Sequence, residues 1–470
     1  MTFDQIAALA VLVGVVGVLI HGKVRADVVA LTGAAVLLLL GVVRPVEVQG
    51  AFASPAVIAL AGLFVIAYAI ELSGLLGLLI RQATQLAARI GATGIWIVIG
   101  LCGSVGGFLN NTPVVVLAAP VIRDVAKSLH LSPKRFLMPL SHVTVLGGLL
   151  TLIGTSTNLL VNDMARNAGQ PVFSLFEITP VGLFIAVAGA LWLYFVGARQ
   201  LGRAVAEDEA ESARLALIEE GRRRAEAEAK NRQRRRLLPF GLPRLGESRN
   251  QSDGSGDAHL GDVALYGAAD LPFRLRPAMI SLAIFALVIA SAALGWAPIA
   301  ASAFAGAVAL ILCRVITPEE AYAGLRPEIL LLIAGMVVVG TAIEVTGLAA
   351  TGAGALIHVI RPMGPLGALI VLYGVTLFAT ELLSNATVAV LITPIAVALA
   401  ESLGVDPRPF LVCVMMAASA AFATPFGYQT NVLVFNMGGY SYMDFVRVGL
   451  PLNLVTWVAA MVAIPIFFPF

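Results

Sequence analysis

The seven residues Ala69-Ile-Glu-Leu-Ser-Gly-Leu75 recur as Ala342-Ile-Glu-Val-Thr-Gly-Leu348, a shift of 273. The same shift carries Gly33 onto Gly306, Pro45 onto Pro318, Glu47 onto Glu320 and Asn158 onto Asn431. A shift of 274 carries Asn111 onto Asn385, Pro120 onto Pro394, and Pro133-Lys-Arg-Phe-Leu137 onto Pro407-Arg-Pro-Phe-Leu411. So many matches at one offset mark an internal duplication. The chain divides into a first repeat, 1–198, a linker, 199–276, and a second repeat, 277–470.

Composition says what the repeats are made of. Of 470 residues, 59% are hydrophobic and 12% charged, and mean hydropathy is +0.93. Soluble domains carry about 25% charged residues. A soluble enzyme, a disordered chain and a nucleic-acid partner are excluded. The net charge of +2 hides a concentration: 15 of the 30 Lys and Arg lie in 199–276. Both repeats are built from apolar runs of about 20 residues, the length that spans a bilayer core. A transmembrane barrel would alternate apolar and polar residues, and these runs do not. The fold class is an all-α polytopic membrane protein. The run from Phe3 to Ile20 lacks preceding basic residues and reads as a span, not a secretory signal. Cys102, Cys313 and Cys413 sit apart, which argues against disulfides or a metal cluster.

The first repeat reads as five spans near 4–21, 25–43, 56–80, 136–166 and 175–198. The stretch 94–122 is apolar to Leu109, interrupted by Asn110-Asn111-Thr112-Pro113, then apolar for nine residues to Ile122. Nine residues rise about 14 Å, half a bilayer, so this is a re-entrant hairpin. With the hairpin uncounted as a crossing, Lys23, Arg25, Arg81, Arg89, Arg123, Lys127, Lys134 and Arg135 share one side. Only Arg44 and Arg166 fall opposite. A single tilted span would move the last four of the eight across. The Lys and Arg excess marks the cytoplasm. Both termini are then outside and the linker is cytoplasmic.

The second repeat reads as spans near 278–295, 297–314, 328–350, 410–437 and 445–468, with a hairpin at 366–400. Five crossings per repeat give the copies opposite orientation. Inverted repeats with broken helices are the architecture of secondary transporters, whose sites lie at the repeat interface. In the linker, Glu207 to Arg236 reads as helical and Gly246 to Gly261 as disordered.

Four polar breaks interrupt the membrane runs. They are Asn110 to Pro113, Gly154-Thr155-Ser156-Thr157-Asn158, Ser384-Asn385-Ala386-Thr387, and Thr424 to Asn431. Non-helical backbone at membrane depth is tolerated only inside protein or along a cavity. Half-helix N-termini suit anions and C-termini suit cations. An Asn side chain serves both, its carbonyl facing a cation and its NH₂ an anion. No Lys, Arg, Asp or Glu lies in the breaks. An anion would therefore be held by amides, hydroxyls and dipoles, and a cation by neutral oxygens, which suits Na⁺. Capping and interhelical hydrogen bonding are the structural alternative for these residues.

The breaks resemble those of the divalent anion:sodium symporter family, the solute carrier 13 type, within the wider ion transporter superfamily. Leu152 to Leu159 and Thr424 to Asn431 look like its sulfate-permease branch. The resemblance covers both membrane repeats. It implies an elevator-type Na⁺ symporter, a homodimer, with hairpin tips that bind Na⁺ and the anion. Carried over by position, it places substrate on Asn111, Thr112, Thr155, Asn385, Thr387 and Thr424. It places Na⁺ on Asn110, Asn111, Gly154, Asn158, Ser384, Asn385, Thr424 and Asn431. Two residues depart from the Ser-Asn-Thr tip: Asn110 replaces the first Ser, and Ala386 replaces the second Thr. A missing hydroxyl suits a smaller oxyanion over a dicarboxylate. The linker is too short for the regulatory domains this branch often carries.

Glu71 and Glu344 are repeat partners inside spans, and Glu381 lies three residues before Ser384. An intramembrane carboxylate is a candidate for coupling or for supporting a site. His142 and His358 lack a partner motif and read as structural. The leading expectation is Na⁺-coupled uptake of sulfate, or of a di- or tricarboxylate such as succinate or citrate, across the inner plasma membrane. Na⁺ is the coupling ion and no cofactor is expected. The alternative is a proton-coupled exporter or antiporter of the same superfamily, of arsenite or Na⁺/H⁺ type. A channel or sensor, and a membrane enzyme, are remoter; the breaks hold no nucleophile–base pair.

Overall fold

The computed structural model describes residues 2–21, 24–129, 131–202, 272–348, 351 and 363–470. Its described elements are helices. Among them, seven are long and apolar enough to cross a membrane. With no water in the bilayer core, helices keep every backbone N–H and C=O paired within the segment. The expected helical stretch of the linker and His358 lie outside the described residues.

The first repeat contains α1 (Phe3–His21), α2 (Ala26–Leu39), α3 (Pro45–Phe52) and α4 (Pro55–Leu72). The second opens with α11 (Leu275–Ala293), α12 (Ile299–Leu312), α13 (Pro318–Gly324) and α14 (Pro327–Val345). Proline at the first position starts α3, α4, α13 and α14, where a missing N–H costs nothing. The short helices α3 and α13 were not foreseen, although Pro45 and Pro318 begin them. The third span, expected over 56–80, ends at Leu72. Gly74 turns the chain with φ +73°, as Gly347 does in the second repeat with φ +72°. A separate helix, α5 (Leu75–Ile90), follows and lies against the first hairpin.

These eight scaffold helices interlock reciprocally. Helix α2 packs on α14, and α4 packs on α12. At the first contact a Cβ on Gly335 would lie 2.8 Å from the Ala30 backbone. At the second, a Cβ on Gly62 would lie 2.6 Å from the Ala303 backbone. Gly62 and Gly335, and Ala30 and Ala303, are each 273 residues apart. The repeats therefore meet through the same surface on each partner, the signature of a two-fold relation. Helix α11 faces outward, with only Ala278, Ser281 and Val288 of its residues buried.

The remaining helices form the second group. The first hairpin is α6 (Ala92–Gly106) and α7 (Asn111–Ser128). The first broken span is α8 (Lys134–Gly148) and α9 (Ser156–Asn167), followed by α10 (Thr179–Trp192). Their counterparts are the hairpin α15 (Gly364–Leu382) and α16 (Asn385–Leu403), the broken span α17 (Arg408–Ala418) and α18 (Gln429–Gly438), and α19 (Tyr442–Phe467). The hairpin arms are longer than the apolar runs suggested. Helix α7 continues six residues past Ile122, through Arg123, Asp124 and Lys127. Phe136–Gly148 and Pro409–Ala418 are buried throughout. Protein thus surrounds the spans whose backbone is open, as bilayer depth requires.

This group is also cross-braced between repeats. Helix α7 packs on α18, and α9 packs on α16. Lys134 pairs with Asp444 at 4.0 Å, and Arg408 pairs with Glu177. Lys134 and Arg408 are repeat partners, so the two ends carry matching ion pairs.

Candidate functional site

The four polar breaks converge on one cavity of about 360 Å³. Each contributes the start of a helix. Asn110 and Thr112 come from α7; Gly154, Thr155 and Ser156 from α9; Ser384, Asn385 and Ala386 from α16; Tyr428 and Gln429 from α18. Leu63, Phe64, Phe285 and Ile329 from the scaffold close one wall. The lining holds no Lys or Arg, and Glu381 is its sole charged residue.

Local hydrogen bonds explain why the helices start here. Asn110 Oδ1 accepts from the Thr112 amide at 3.2 Å, and Thr155 Oγ1 from the Thr157 amide at 3.4 Å. Ser384 Oγ accepts from the Thr387 amide at 3.2 Å. These are N-caps, which satisfy some of the first free amides and leave others toward the cavity. Thr387 is fully buried, and its hydroxyl lies 2.7 Å from Ser384 Oγ, so it stabilises the tip from behind the cavity.

Of the two central asparagines, Asn385 lines the cavity and Asn111 sits one layer back. Asn111 donates from Nδ2 to the Tyr428 hydroxyl at 3.2 Å, tying the first tip to the second break. Thr112 donates to Gln429 Oε1 at 3.2 Å. Asn111 Oδ1 is buried without a partner. In the second repeat Asn385 Oδ1 accepts from Thr380 Oγ1 at 2.8 Å, and its buried Nδ2 is unpartnered. Thr380 Oγ1 also lies 2.7 Å from the carbonyl of Ala418, the last residue of α17. Thr380 Oγ1, Asn385 Oδ1 and Ala418 O form a set of neutral oxygens at a helix C-terminus that could hold a small cation. Asn385 thus offers its carbonyl to the oxygen cluster, while its NH₂ is buried without a partner.

Asn158 and Asn431 have a different job. Asn158 Nδ2 donates to the carbonyls of Gly148 and Thr151, at 3.4 and 3.0 Å. Asn431 Nδ2 donates to those of Ala421 and Thr424, at 2.9 and 3.3 Å. Each amide reaches back ten and seven residues to close the loop of its own broken span. Neither lines the cavity.

Glu381 holds the second break in place. Its Oε1 accepts from the amides of Phe422 at 3.0 Å and Ala423 at 2.8 Å, and from Asn453 Nδ2 at 2.7 Å. Its Oε2 accepts from the amide of Thr424 at 2.9 Å and its hydroxyl at 2.8 Å. The Thr424 hydroxyl is therefore engaged with Glu381 and absent from the lining. Glu71 and Glu344 lie near the ends of α4 and α14, outside the lining.

Of the residues singled out in the sequence, Asn110, Thr112, Gly154, Thr155, Glu381, Ser384 and Asn385 meet at the cavity. Asn111, Thr387, Thr424, Asn158 and Asn431 stand behind it. Sequence reasoning missed Thr380, Tyr428 and Gln429. The last two lie within a quoted break; Thr380 lies one turn before the second tip.

The family model described as a citrate transporter matches residues 16–404 and 382–470. The chain belongs to the citrate transporter family. Its relatives include an uncharacterized transporter of Synechocystis, 26% identical over 92% of each chain, and one of Escherichia coli, 26% identical over 96% of this chain and 97% of that one. Sodium/sulfate cotransporter 1 of Chlamydomonas reinhardtii is 34% identical, over 33% of this chain and 18% of its own length. The fold is similar to that of the YdaH transporter of Alcanivorax borkumensis. That match has a TM-score of 0.53 and 13% identity, over 89% of this chain and 86% of that one. As a member of the citrate transporter family the protein is a multi-pass membrane transporter of small anions, not an enzyme.

Proposed function

We propose that the chain is a Na⁺-coupled symporter of a divalent anion, with sulfate ahead of succinate or citrate. The observation that carries this reading is the convergence of four helix N-termini on one cavity whose lining holds no basic side chain. Each N-terminus carries roughly +0.5 of an elementary charge, so four supply about +2. The Glu381 carboxylate on the same lining offsets one of those charges, so a divalent anion is balanced there together with a co-bound cation, without Lys or Arg. The unpartnered Asn385 Nδ2 adds a donor. The neutral oxygens of Thr380, Asn385 and Ala418 at the end of α17 support a coupling cation beside the anion. The sodium/sulfate cotransporter among the relatives agrees with this assignment. Ala386, which lines the cavity without a hydroxyl, favours the smaller oxyanion.

The two helix groups suggest the motion. The scaffold interlocks through Gly62 and Gly335, while the hairpins and broken spans are braced to one another. An elevator moves the second group, with its cavity, against the first. The N- and C-termini lie outside and the linker in the cytoplasm, in an inner plasma membrane. A homodimer is part of this reading, by the family resemblance alone.

Proton coupling needs a carboxylate free to exchange with the cavity. Glu381 is engaged by five donors, and Glu71 and Glu344 lie outside the lining. The test is uptake of labelled sulfate, succinate and citrate into proteoliposomes, under an inward Na⁺ gradient and under a proton gradient alone. Na⁺-stimulated uptake of a divalent anion is the expected result. Uptake driven only by protons would refute the coupling.

A further inference from the structure

We propose that Gln429 selects among divalent anions: held by the Thr112 hydroxyl, its NH₂ group donates to the anion and favours a fully ionised oxyanion over one that still carries a proton. The proposal rests on the anion-symport reading above and narrows its class of substrate.

Gln429 is the first residue of α18 and lines the cavity. Its side chain is tied across the repeats, because the Thr112 hydroxyl donates to its Oε1 at 3.2 Å. The bond from Asn111 Nδ2 to the Tyr428 hydroxyl, also 3.2 Å, joins the two preceding residues and fixes the same pair of helix starts. A carboxamide whose oxygen is held in this way keeps two N–H donors to offer. Among the described residues no protein acceptor takes them up. The place of Gln429 at the start of α18 puts those donors in the positive end of the helix field.

The same division recurs around the lining. Asn110 Oδ1 accepts from the Thr112 amide, and Asn385 Oδ1 from the Thr380 hydroxyl. Asn385 Nδ2 is buried without a partner. Both oxygens of Glu381 are engaged by the five donors of the second break. The carbonyl and carboxylate oxygens of these side chains are thus occupied, while amide donors remain. An anion that only accepts hydrogen bonds suits such a wall. An oxyanion with an O–H group needs an acceptor, and leaving that donor unpaired lowers affinity by about tenfold or more.

The tie exists once in the molecule. An offset of 274 carries Thr112 onto Ala386, and one of 273 carries Ser156 onto Gln429. Ala386 and Ser156 also line the cavity. A methyl group has nothing to donate and a serine has no carboxamide to orient, so the second copy of the pair cannot do this work. Selection therefore sits on the wall where α7 of the first repeat meets α18 of the second.

The experiment is Na⁺-driven uptake of labelled sulfate, succinate and phosphate into proteoliposomes of the full chain near neutral pH, where phosphate retains a proton and sulfate none. Wild-type protein is expected to take up sulfate well ahead of phosphate. Gln429→Glu has the same shape and keeps an oxygen for Thr112, but turns the donor into a charged acceptor. It should raise the apparent KM for sulfate about tenfold or more and lower the ratio of sulfate to phosphate uptake about as much, at the wild-type melting temperature. Thr112→Val frees the carboxamide and should raise the sulfate KM about three- to fivefold at an unchanged maximal rate, and Thr112→Ser should restore it. Added to Gln429→Ala, Thr112→Val should cost nothing further. If Gln429→Glu melts early, the two Thr112 variants and that double variant carry the same decision. Wild-type sulfate kinetics in Gln429→Glu would overturn the proposal, as would additive losses in the double variant. Uptake of succinate without sulfate would overturn the oxyanion preference. Na⁺-driven anion uptake would stand in each of those cases. A wild-type protein that takes up no divalent anion on a Na⁺ gradient would remove the symport reading and the proposal with it.

Discussion

Replacing Glu381 by Gln tests whether one side chain holds the second break together. The carboxylate accepts five hydrogen bonds, three of them from consecutive backbone amides. A carboxamide keeps one oxygen, which can retain the Phe422, Ala423 and Asn453 donors as weaker neutral bonds. Its NH₂ group then faces the Thr424 amide, donor against donor. Leaving that amide unpaired costs about 1–3 kcal/mol. Turning three charge-assisted bonds into neutral ones costs roughly half of each bond's strength. The sum is about 5 kcal/mol, a large share of the roughly 5–15 kcal/mol that holds a folded protein. Unfolding entropy grows with chain length, so for a chain this size each kcal/mol lowers the melting temperature by roughly 1–2 °C. Glu381→Gln should melt about 5–10 °C below wild type in the same detergent. Its uptake rate should fall with it, because the N-terminus of α18 is then less firmly placed at the cavity. A variant with wild-type melting temperature and uptake would refute the claim that Glu381 fixes the break.

Four further outcomes follow. Ala386→Thr puts a hydroxyl on the cavity wall and should raise the ratio of succinate to sulfate uptake; an unchanged ratio would remove Ala386 as a determinant of substrate. Tyr428→Phe deletes the acceptor of Asn111 Nδ2 and should raise the apparent KM for the anion about five- to tenfold, with near-normal expression, in transport kinetics. Gly62→Ala and Gly335→Ala each drive a methyl into opposing backbone and should lower the yield of monodisperse protein by similar amounts, as size-exclusion chromatography would read. Glu71→Gln and Glu344→Gln should keep Na⁺-driven uptake within about twofold; loss of transport in either would favour proton coupling.

The sequence by itself determined the membrane class, the duplication and the position of all four breaks. Those features are local or periodic: apolar length, a constant offset, and polar residues where a bilayer tolerates none. They place Asn110, Thr112, Thr155, Ser384 and Asn385 at helix starts, because capping depends only on the next three residues. What only the tertiary structure decided is which side chains face the cavity and which brace it. Thr387, Thr424 and Asn431 look as suitable as their neighbours in the string of letters. They are turned away because Ser384, Glu381 and the loop carbonyls reach them first. Tyr428 comes into view only when the two repeats are brought together, since its partner Asn111 lies in the other repeat, and Thr380 only when the end of α17 packs against its own hairpin.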